Sequence, residues 1–215
     1  MFCCPSLMGA YHLPDCRQFE VTEEVYEKIA YRGTTEGIVA EIRTKTHTLE
    51  ELIAHTPTEK PRQAPFIVVL EGVEKPGNLG AILRSADAAN VDGVVVCDPK
   101  TDLYNPNLIR SSIGAIFTVP TVACTSEACI DFLKRNGIRI LTAQLQDSNL
   151  YYDTDMRQPT AIVMGTEATG LTDQWRKAAD AHIRIPMLGR LDSLNVSVSA
   201  AILMFEAVRQ RNGLG

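Results

Sequence analysis

The chain has 215 residues, of which 45% are hydrophobic and 22% charged, a composition that allows one full catalytic-size domain with a small appendage and excludes a disordered or fibrous chain. Its formal net charge of −5 excludes a protein that coats nucleic acid nonspecifically, so any nucleic-acid contact needs basic side chains gathered locally. No run approaches the ~18 consecutive apolar residues of a membrane span, and the opening MFCCPSLMGAY lacks the basic n-region and sustained apolar stretch of a signal peptide, so a cytoplasmic protein is expected.

The first 45 residues differ from the rest. A polar start runs into a predicted helix over Thr22–Ala30, with Glu23 and Glu24 suited to its N-terminus. A short strand-like run, GIVAEI, follows. A second short helix is expected from Thr48, where Thr48 and Glu51 have capping-box spacing ahead of Leu52 and Ile53. Residues 55–65 (HTPTEKPRQAP) carry three prolines and few apolar side chains, which reads as a linker. The expected organisation is therefore an N-terminal module at 1–54, a linker at 55–65 and the main domain at 66–215.

From Phe66 onward, apolar strands alternate with helices. FIVVL (66–70), VVVC (94–97), a run at about 117–122, IRILTA (138–143), AIVMG (161–165) and HIRI (182–185) are strand candidates. Helices are expected from near Leu79, around 106–114, over 126–135 closed by Asn136-Gly137, from near Thr172, and over 195–211. Continuous apolar strands separated by helices indicate an α/β fold, a parallel sheet flanked by helices on both faces.

The cysteines stand at positions 3, 4, 16, 97, 124 and 129. They form no C-x-x-C pair and no second Cys/His pair at zinc spacing, so reduced, inert thiols and no metal are expected.

Three segments carry chemistry. In EGVEKPGNLGAILRSADAAN (71–90) a strand turns at Pro76-Gly77-Asn78-Leu79-Gly80 into a helix with Leu79, Ile82, Leu83 and Ala86 on one face. Arg84 lies off that stripe, one turn above Gly80, which leaves space beside it. The turn fits either a ligand loop or an ordinary helix start, and it lacks the G-x-G-x-x-G spacing of a dinucleotide site. In AIVMGTEATGL (161–171) a buried strand ends at Gly165, and Glu167 and Gly170 follow in a loop of the kind that binds ligands at the carboxyl ends of parallel strands. In IRIPMLGRLDSLNVSVSAAILMFEA (183–207) a strand is broken from its helix by a Met-Leu-Gly-Arg-Leu stretch. Ser193 and Asn195 stand at the helix start, ahead of a core stripe of Val196, Ala200, Leu203 and Ala207. Leu203, Met204 and Phe205 fit core or an interface, core being preferred.

Together the three segments resemble the signature of the SpoU (TrmH) branch of the knotted SPOUT methyltransferases. The matching pieces are Asn78-Leu79-Gly80 with Arg84, Gly165-Thr166-Glu167 with Gly170, and Ile185-Pro186-Met187 with Ser193-Leu194-Asn195-Val196-Ser197. A further run at 107–115, including Arg110, Ser111 and Ser112, looks like a fourth element and is an expected RNA contact. The resemblance covers about residues 64–212. It implies a five- or six-stranded parallel sheet with a deep C-terminal trefoil knot, a fold that composition cannot reveal. It also implies an S-adenosyl-L-methionine cofactor held by Gly165, Ile185, Met187 and Leu194, and transfer of its methyl group to a ribose 2′-hydroxyl of RNA, ribosomal in preference to transfer RNA. Arg84 is the residue assigned to the hydroxyl, as general base or as a bidentate grip on the adjacent phosphate. Asn78, Glu167, Ser193 and Asn195 are expected to position it, the ribose and the cofactor loop, and a homodimer through the knot region is expected. TEEVYEKIAYRGTTEGIVAEI (21–41) resembles the end of the ribosomal-protein-like RNA-binding domain of such enzymes, so the N-terminal module reads as a shortened α+β remnant. The alternative readings are a protein of the same fold that binds cofactor and RNA without catalysis, and a nucleotide-binding α/β protein, which leaves the third segment without a purpose.

Overall fold

The computed structural model describes residues 1–31, 36–54, 64–166 and 169–213. The chain divides into two compact units, Met1–Lys45 and Thr46–Gly215. The first holds three two-residue strands, β1 (Phe2–Cys3), β2 (Phe19–Glu20) and β3 (Ile38–Val39), in the order β2-β1-β3, with the helix α1 (Glu23–Ile29) between the last two in sequence. Thr22 caps α1 by accepting from the Val25 amide, and Tyr26 is its buried residue.

The second unit opens with α2 (Leu49–Ala54). Its start is the expected capping box: the Thr48 amide donates to the Glu51 carboxylate at 3.0 Å and the Glu51 amide to the Thr48 hydroxyl at 3.3 Å. The sequence groups this helix with the N-terminal module. In the structure it falls within the second unit, because Leu52 is fully buried among Ile67, Val69 and Val95. Gly93 makes room for it, since a Cβ there would lie 2.5 Å from the Leu52 side chain. Residues 55–63 of the expected linker lie outside the described residues.

The remaining elements are β4 (Phe66–Glu71), α3 (Pro76–Ala88), β5 (Gly93–Cys97), α4 (Pro106–Ser111), α5 (Ala115–Thr118), β6 (Thr121–Cys124), α6 (Ser126–Arg135), β7 (Arg139–Ala143), β8 (Asn149–Leu150), a 3-10 turn at Tyr151–Asp153, β9 (Thr160–Met164), α7 (Asp173–Ala178), β10 (Ala181–Arg184) and α8 (Val196–Arg211). The strands form one sheet in the order β6-β5-β4-β9-β7-β10-β8, every pairing parallel. The sheet has seven strands where five or six were expected. The addition is β8, a two-residue edge strand on β10 that is too short to leave a periodicity in the sequence.

Every residue of β4 is buried, which is why its first five residues, FIVVL, are apolar without alternation. Val68 and Leu70 face the cluster that holds Leu79, Ile82, Leu83, Ala200 and Leu203 of α3 and α8. Ile67 and Val69 face the opposite cluster with Phe132, Leu133 and Trp175 of α6 and α7. Both predicted stripes, on α3 and α8, are buried.

Three local expectations change. α3 begins at Pro76, three residues before the first apolar stripe residue, because proline at the first helical position already has helical φ. The predicted helix over 106–114 stops at Ser111, where Ile113 and Gly114 take positive φ of 51° and 86°. Residues 115–118 form the helical turn α5, whose Ala115 and Ile116 join the α3 cluster, and the strand expected from about Phe117 begins only at Thr121. Of the last-helix trio, Leu203 and Met204 are core, whereas Phe205 is 48% exposed.

Candidate active site

The carboxyl ends of the adjacent strands β9, β7 and β10 open onto one cavity of about 390 Å³. Met164, Gly165 and Thr166 enter it from the end of β9, Ala143 and Gln144 from β7, Ile183, Arg184, Ile185 and Met187 from β10 and its continuation, and Ser193, Leu194 and Ser199 from the start of α8. This is where ligands bind in open α/β sheets, since strand-end loops converge there. All four residues expected to hold the cofactor, Gly165, Ile185, Met187 and Leu194, line it. The volume lies within the ~300–1,000 Å³ range of small-molecule sites.

Gly165 is required by the approach of its own loop. A Cβ there would stand 2.3 Å from the Gly170 carbonyl. Gly170 itself has φ +67°, and its amide donates to the Thr166 carbonyl at 3.0 Å. The Thr166 and Thr169 hydroxyls, 2.8 Å apart, tighten the turn further. Glu167 lies outside the described residues.

A second cavity of about 330 Å³ shares Thr166, Thr169 and Val196 with the first and is otherwise lined by Gly72, Val73, Glu74, Lys75, Asn78 and Lys100. Asn78 brings α3 to its edge. The Asn195 side-chain amide donates to Asn78 Oδ1 at 3.1 Å across 117 residues of sequence. The Asn195 oxygen accepts from the Ser197 amide at 2.9 Å and the Ser197 hydroxyl at 2.6 Å, capping α8. Ser193 donates to Asp192 at 3.3 Å at the mouth of the first cavity.

Arg84 lines neither cavity. It lies six residues beyond Asn78 on α3, about 9 Å along the axis, is exposed, and makes no hydrogen bond or ion pair with any described residue. Gly80 does not clear space for it: a Cβ on Gly80 would fall 1.9 Å from Ser111 Oγ and 2.7 Å from the Ser111 backbone, so this glycine lets α4 press against α3. Of the fourth segment, Arg110 is exposed. Ser111 donates to the Pro76 and Leu108 carbonyls at 2.9 and 3.1 Å, and Ser112, 1% exposed, donates to the Ile109 carbonyl at 2.8 Å. Both hydroxyls are engaged in helix packing, so neither presents a donor to RNA in this arrangement.

Sequence reading missed Glu71, Gln144, Lys75 and Lys100. Glu71, at the end of β4, is 5% exposed and accepts from the Thr172 amide at 2.8 Å and the Thr172 hydroxyl at 2.7 Å. It thereby anchors the start of α7 directly after the Gly165–Gly170 loop. Gln144 stands just past the end of β7, a position that the rule for strand ends marks as a ligand position but that has no motif of its own. Its Oε1 is buried without a hydrogen-bond partner among the described residues.

Residues 65–205 match the SpoU rRNA Methylase family. The chain belongs to that family. Among its relatives, the Shewanella oneidensis 23S rRNA (guanosine-2'-O-)-methyltransferase RlmB is 39% identical over 196 residues, 89% of this chain and 76% of that protein. A solved RNA 2'-O ribose methyltransferase superposes with a TM-score of 0.78 at 38% identity, covering 98% of this chain and 80% of the other. The AdoMet-bound rRNA methyltransferase from Sinorhizobium meliloti gives the same TM-score at 31% identity, covering 89% and 71%. The chain spans 60% of a Staphylococcus saprophyticus protein named for the TrmH family of tRNA/rRNA methyltransferases. The seven-stranded parallel sheet flanked by helices is thus the fold of SpoU methyltransferases, and no helix among the described residues is long and apolar enough to cross a membrane.

Proposed function

We propose that this SpoU-family chain transfers a methyl group from S-adenosyl-L-methionine to a ribose 2′-hydroxyl of RNA, with ribosomal RNA as the substrate. The observation that carries the reading is the convergence of Gly165, Ile185, Met187 and Leu194 on one cavity, beside a second one bordered by Asn78. The names of the relatives and the AdoMet-bound neighbours support the same chemistry.

The cavity fits the cofactor in kind. Its wall mixes apolar side chains such as Met164, Ile183, Ile185 and Leu203 with polar ones in about equal measure, and Gln144 Oε1, without a partner among the described residues, is an acceptor suited to an amino group. When bound, the cofactor supplies an electrophilic methyl on a sulfonium. The chain's own residues then align the nucleophile. Gly165, Thr166 and Gly170 and the 185–194 segment would hold the donor, and the Asn78–Asn195 pair fixes the rim between the two cavities. A guanidinium presents paired N–H donors in a rigid fork that matches a phosphate, so we assign Arg84 the bidentate grip on the RNA phosphate next to the reacting ribose, which orients the hydroxyl. Glu167 and Ser193 are assigned to positioning the ribose and the cofactor loop.

A deep trefoil knot is part of this reading. It rests on the family resemblance; the last helix is bonded to the β7–β9 connection, where Gln210 of α8 donates to the Thr154 carbonyl at 3.0 Å and accepts from the Met156 amide at 2.8 Å. We also assign a homodimer. Val198 and Phe205, seven residues apart on α8 and so on one face, are 46% and 48% exposed. The N-terminal unit is assigned to substrate recognition and the protein to the cytoplasm.

The deciding experiment is methyl transfer from radiolabelled S-adenosylmethionine to ribosomal RNA lacking modifications, with Arg84→Ala and Arg84→Lys alongside. Label at one site, resistant to alkaline cleavage there and reduced at least ~100-fold in both variants, is expected. Near-full turnover by Arg84→Lys removes the bidentate role. Cofactor binding without any label supports instead a catalytically silent RNA-binding protein.

A further inference from the structure

Three cysteines that are scattered in sequence meet in space. Cys97 ends β5 and Cys124 ends β6, and the two are register partners across parallel strands, so both side chains leave the same face of the sheet. Cys129, in the first turns of α6, packs on that face in the apolar cluster with Val95, Phe132 and Trp175. The three Sγ atoms all lie within 4.8 Å of one another. Cys97 and Cys129 are buried and Cys124 is half-buried, so the triangle is reachable from the Cys124 side. None of the three lines either cavity of the candidate active site.

A buried cysteine by itself is a small apolar side chain, but packing alone does not require three sulfurs to share a vertex. Three thiolates bonded at ~2.3 Å around a tetrahedral centre stand about 3.8 Å apart, so movements of about an ångström close this triangle. The amino end of the ten-residue helix α6 adds a positive potential beside the sulfurs, which favours the thiolate form of a ligand. Charge selects the ion. Three thiolates with a divalent cation leave one net negative charge in an apolar cluster, whereas a monovalent cation leaves two, and buried net charge is strongly disfavoured.

We propose that Cys97, Cys124 and Cys129 form a three-thiolate site for a zinc-class divalent cation, with its fourth position open to water on the Cys124 side. Loading releases the thiol protons to solvent and changes no oxidation state. Strand register builds this site, which is why no C-x-x-C spacing announces it.

The test uses the full-length reduced chain, stripped with a chelator under anaerobic conditions. It is titrated with Zn2+ against a chromophoric chelator and, separately, with Co2+ as a spectroscopic probe. The expected result is one more equivalent of Zn2+ bound than by Cys124→Ser, and tetrahedral Co2+ bands with sulfur-to-metal charge transfer that disappear in that variant. Zinc affinity at the site should fall more than ~100-fold, beyond the loss that outer-shell changes cause. Cys16→Ser should leave it unchanged. Because Cys97 is buried and Cys97→Ala can fail to fold, the second readout is thermal: Zn2+ should raise the unfolding temperature of the parent chain and not that of Cys124→Ser. Equal zinc uptake by parent and Cys124→Ser, absence of thiolate-to-Co2+ bands in the parent, or uptake of Cu(I) but not Zn2+ overturns the proposal.

Discussion

Asn195 uses both ends of one amide. Its oxygen accepts the Ser197 amide and hydroxyl, and its nitrogen donates to Asn78. Aspartate keeps the acceptor and loses the donor, so Asn195→Asp separates the two roles. The helix cap should survive, with stability within about 0.5 kcal/mol of the parent, while two acceptor oxygens now face each other at the rim. We expect kcat/KM for methyl transfer to fall by about tenfold or more, equivalent to ~1.4 kcal/mol of lost transition-state stabilisation. Unchanged kcat/KM, measured beside an unchanged melting temperature, removes Asn195 from the site.

A second residue-scale effect concerns acid stability. Glu206 is 9% exposed and accepts from Arg209 at 2.8 and 2.9 Å and from Gln210 at 2.7 Å. The Arg209 bonds are the main reason that its carboxyl is held below the ordinary range, with Gln210 helping and burial opposing. A lowered folded-state pKa adds stability that is present above the unfolded carboxylate value of ~4.3 and is lost as pH falls through the folded value. Glu206→Gln should therefore destabilise the protein near neutral pH by about 1 kcal/mol, kept modest by the half-exposed, screened Arg209. The gap between variant and parent should close towards pH ~3 in denaturant titrations. A gap independent of pH assigns the loss to packing.

At the scale of elements, α3 is fixed by what its neighbours require. Gly80 permits the approach of α4, and Ser111 ties the two by donating to the Pro76 carbonyl. Gly80→Ala places a methyl against both the Ser111 hydroxyl and its backbone, so side-chain rotation cannot relieve the clash. A loss of about 2–3 kcal/mol is expected, exceeding the ~1 kcal/mol that alanine gains over glycine in a helix. Combining it with Ser111→Ala should recover only part, because the backbone contact at 2.7 Å remains. Full recovery, read from chemical denaturation midpoints, shows that the hydroxyl alone sets the spacing. The amino-terminal edge of β4 and β9 is tied by Arg211, the last residue of α8. It donates to the Met156, Gln158 and Pro65 carbonyls at 2.9, 2.8 and 3.2 Å and lies 4.8 Å over the Phe66 ring. Desolvation lowers its pKa, an effect that the charge of Asp92 counters. Nothing in the sequence singles it out among the basic residues of a helix end.

For the whole molecule, the exposed apolar face of α8 is the feature that an isolated chain leaves unexplained. With the proposed homodimer, Phe205→Glu should shift the assembly from dimer to monomer in sedimentation velocity while leaving the melting temperature of the monomer fold nearly unchanged, since Phe205 contributes little to the core. A dimer that persists moves the interface off α8.

Much of this architecture is legible in the sequence because it depends on neighbours three or four residues apart. The α3 and α8 stripes, the capping box at Thr48 and Glu51, and the helix over 126–135 are periodicities and caps of that kind. The ordered set of motifs that marks the family is legible as well, through residue identity and order along the chain. The strand misread at 117 was lost because Ala115-Ile116-Phe117 is apolar in either conformation, and positive φ at Ile113 and Gly114, which starts the turn, is a tertiary outcome. The tertiary structure alone decided that Asn78 meets Asn195, that the ends of β9, β7 and β10 enclose one cavity, and that Cys97, Cys124 and Cys129 share a vertex. Those adjacencies follow from the order and register of parallel strands. Crossover connections set that order through long-range packing, which no local pattern of residues encodes.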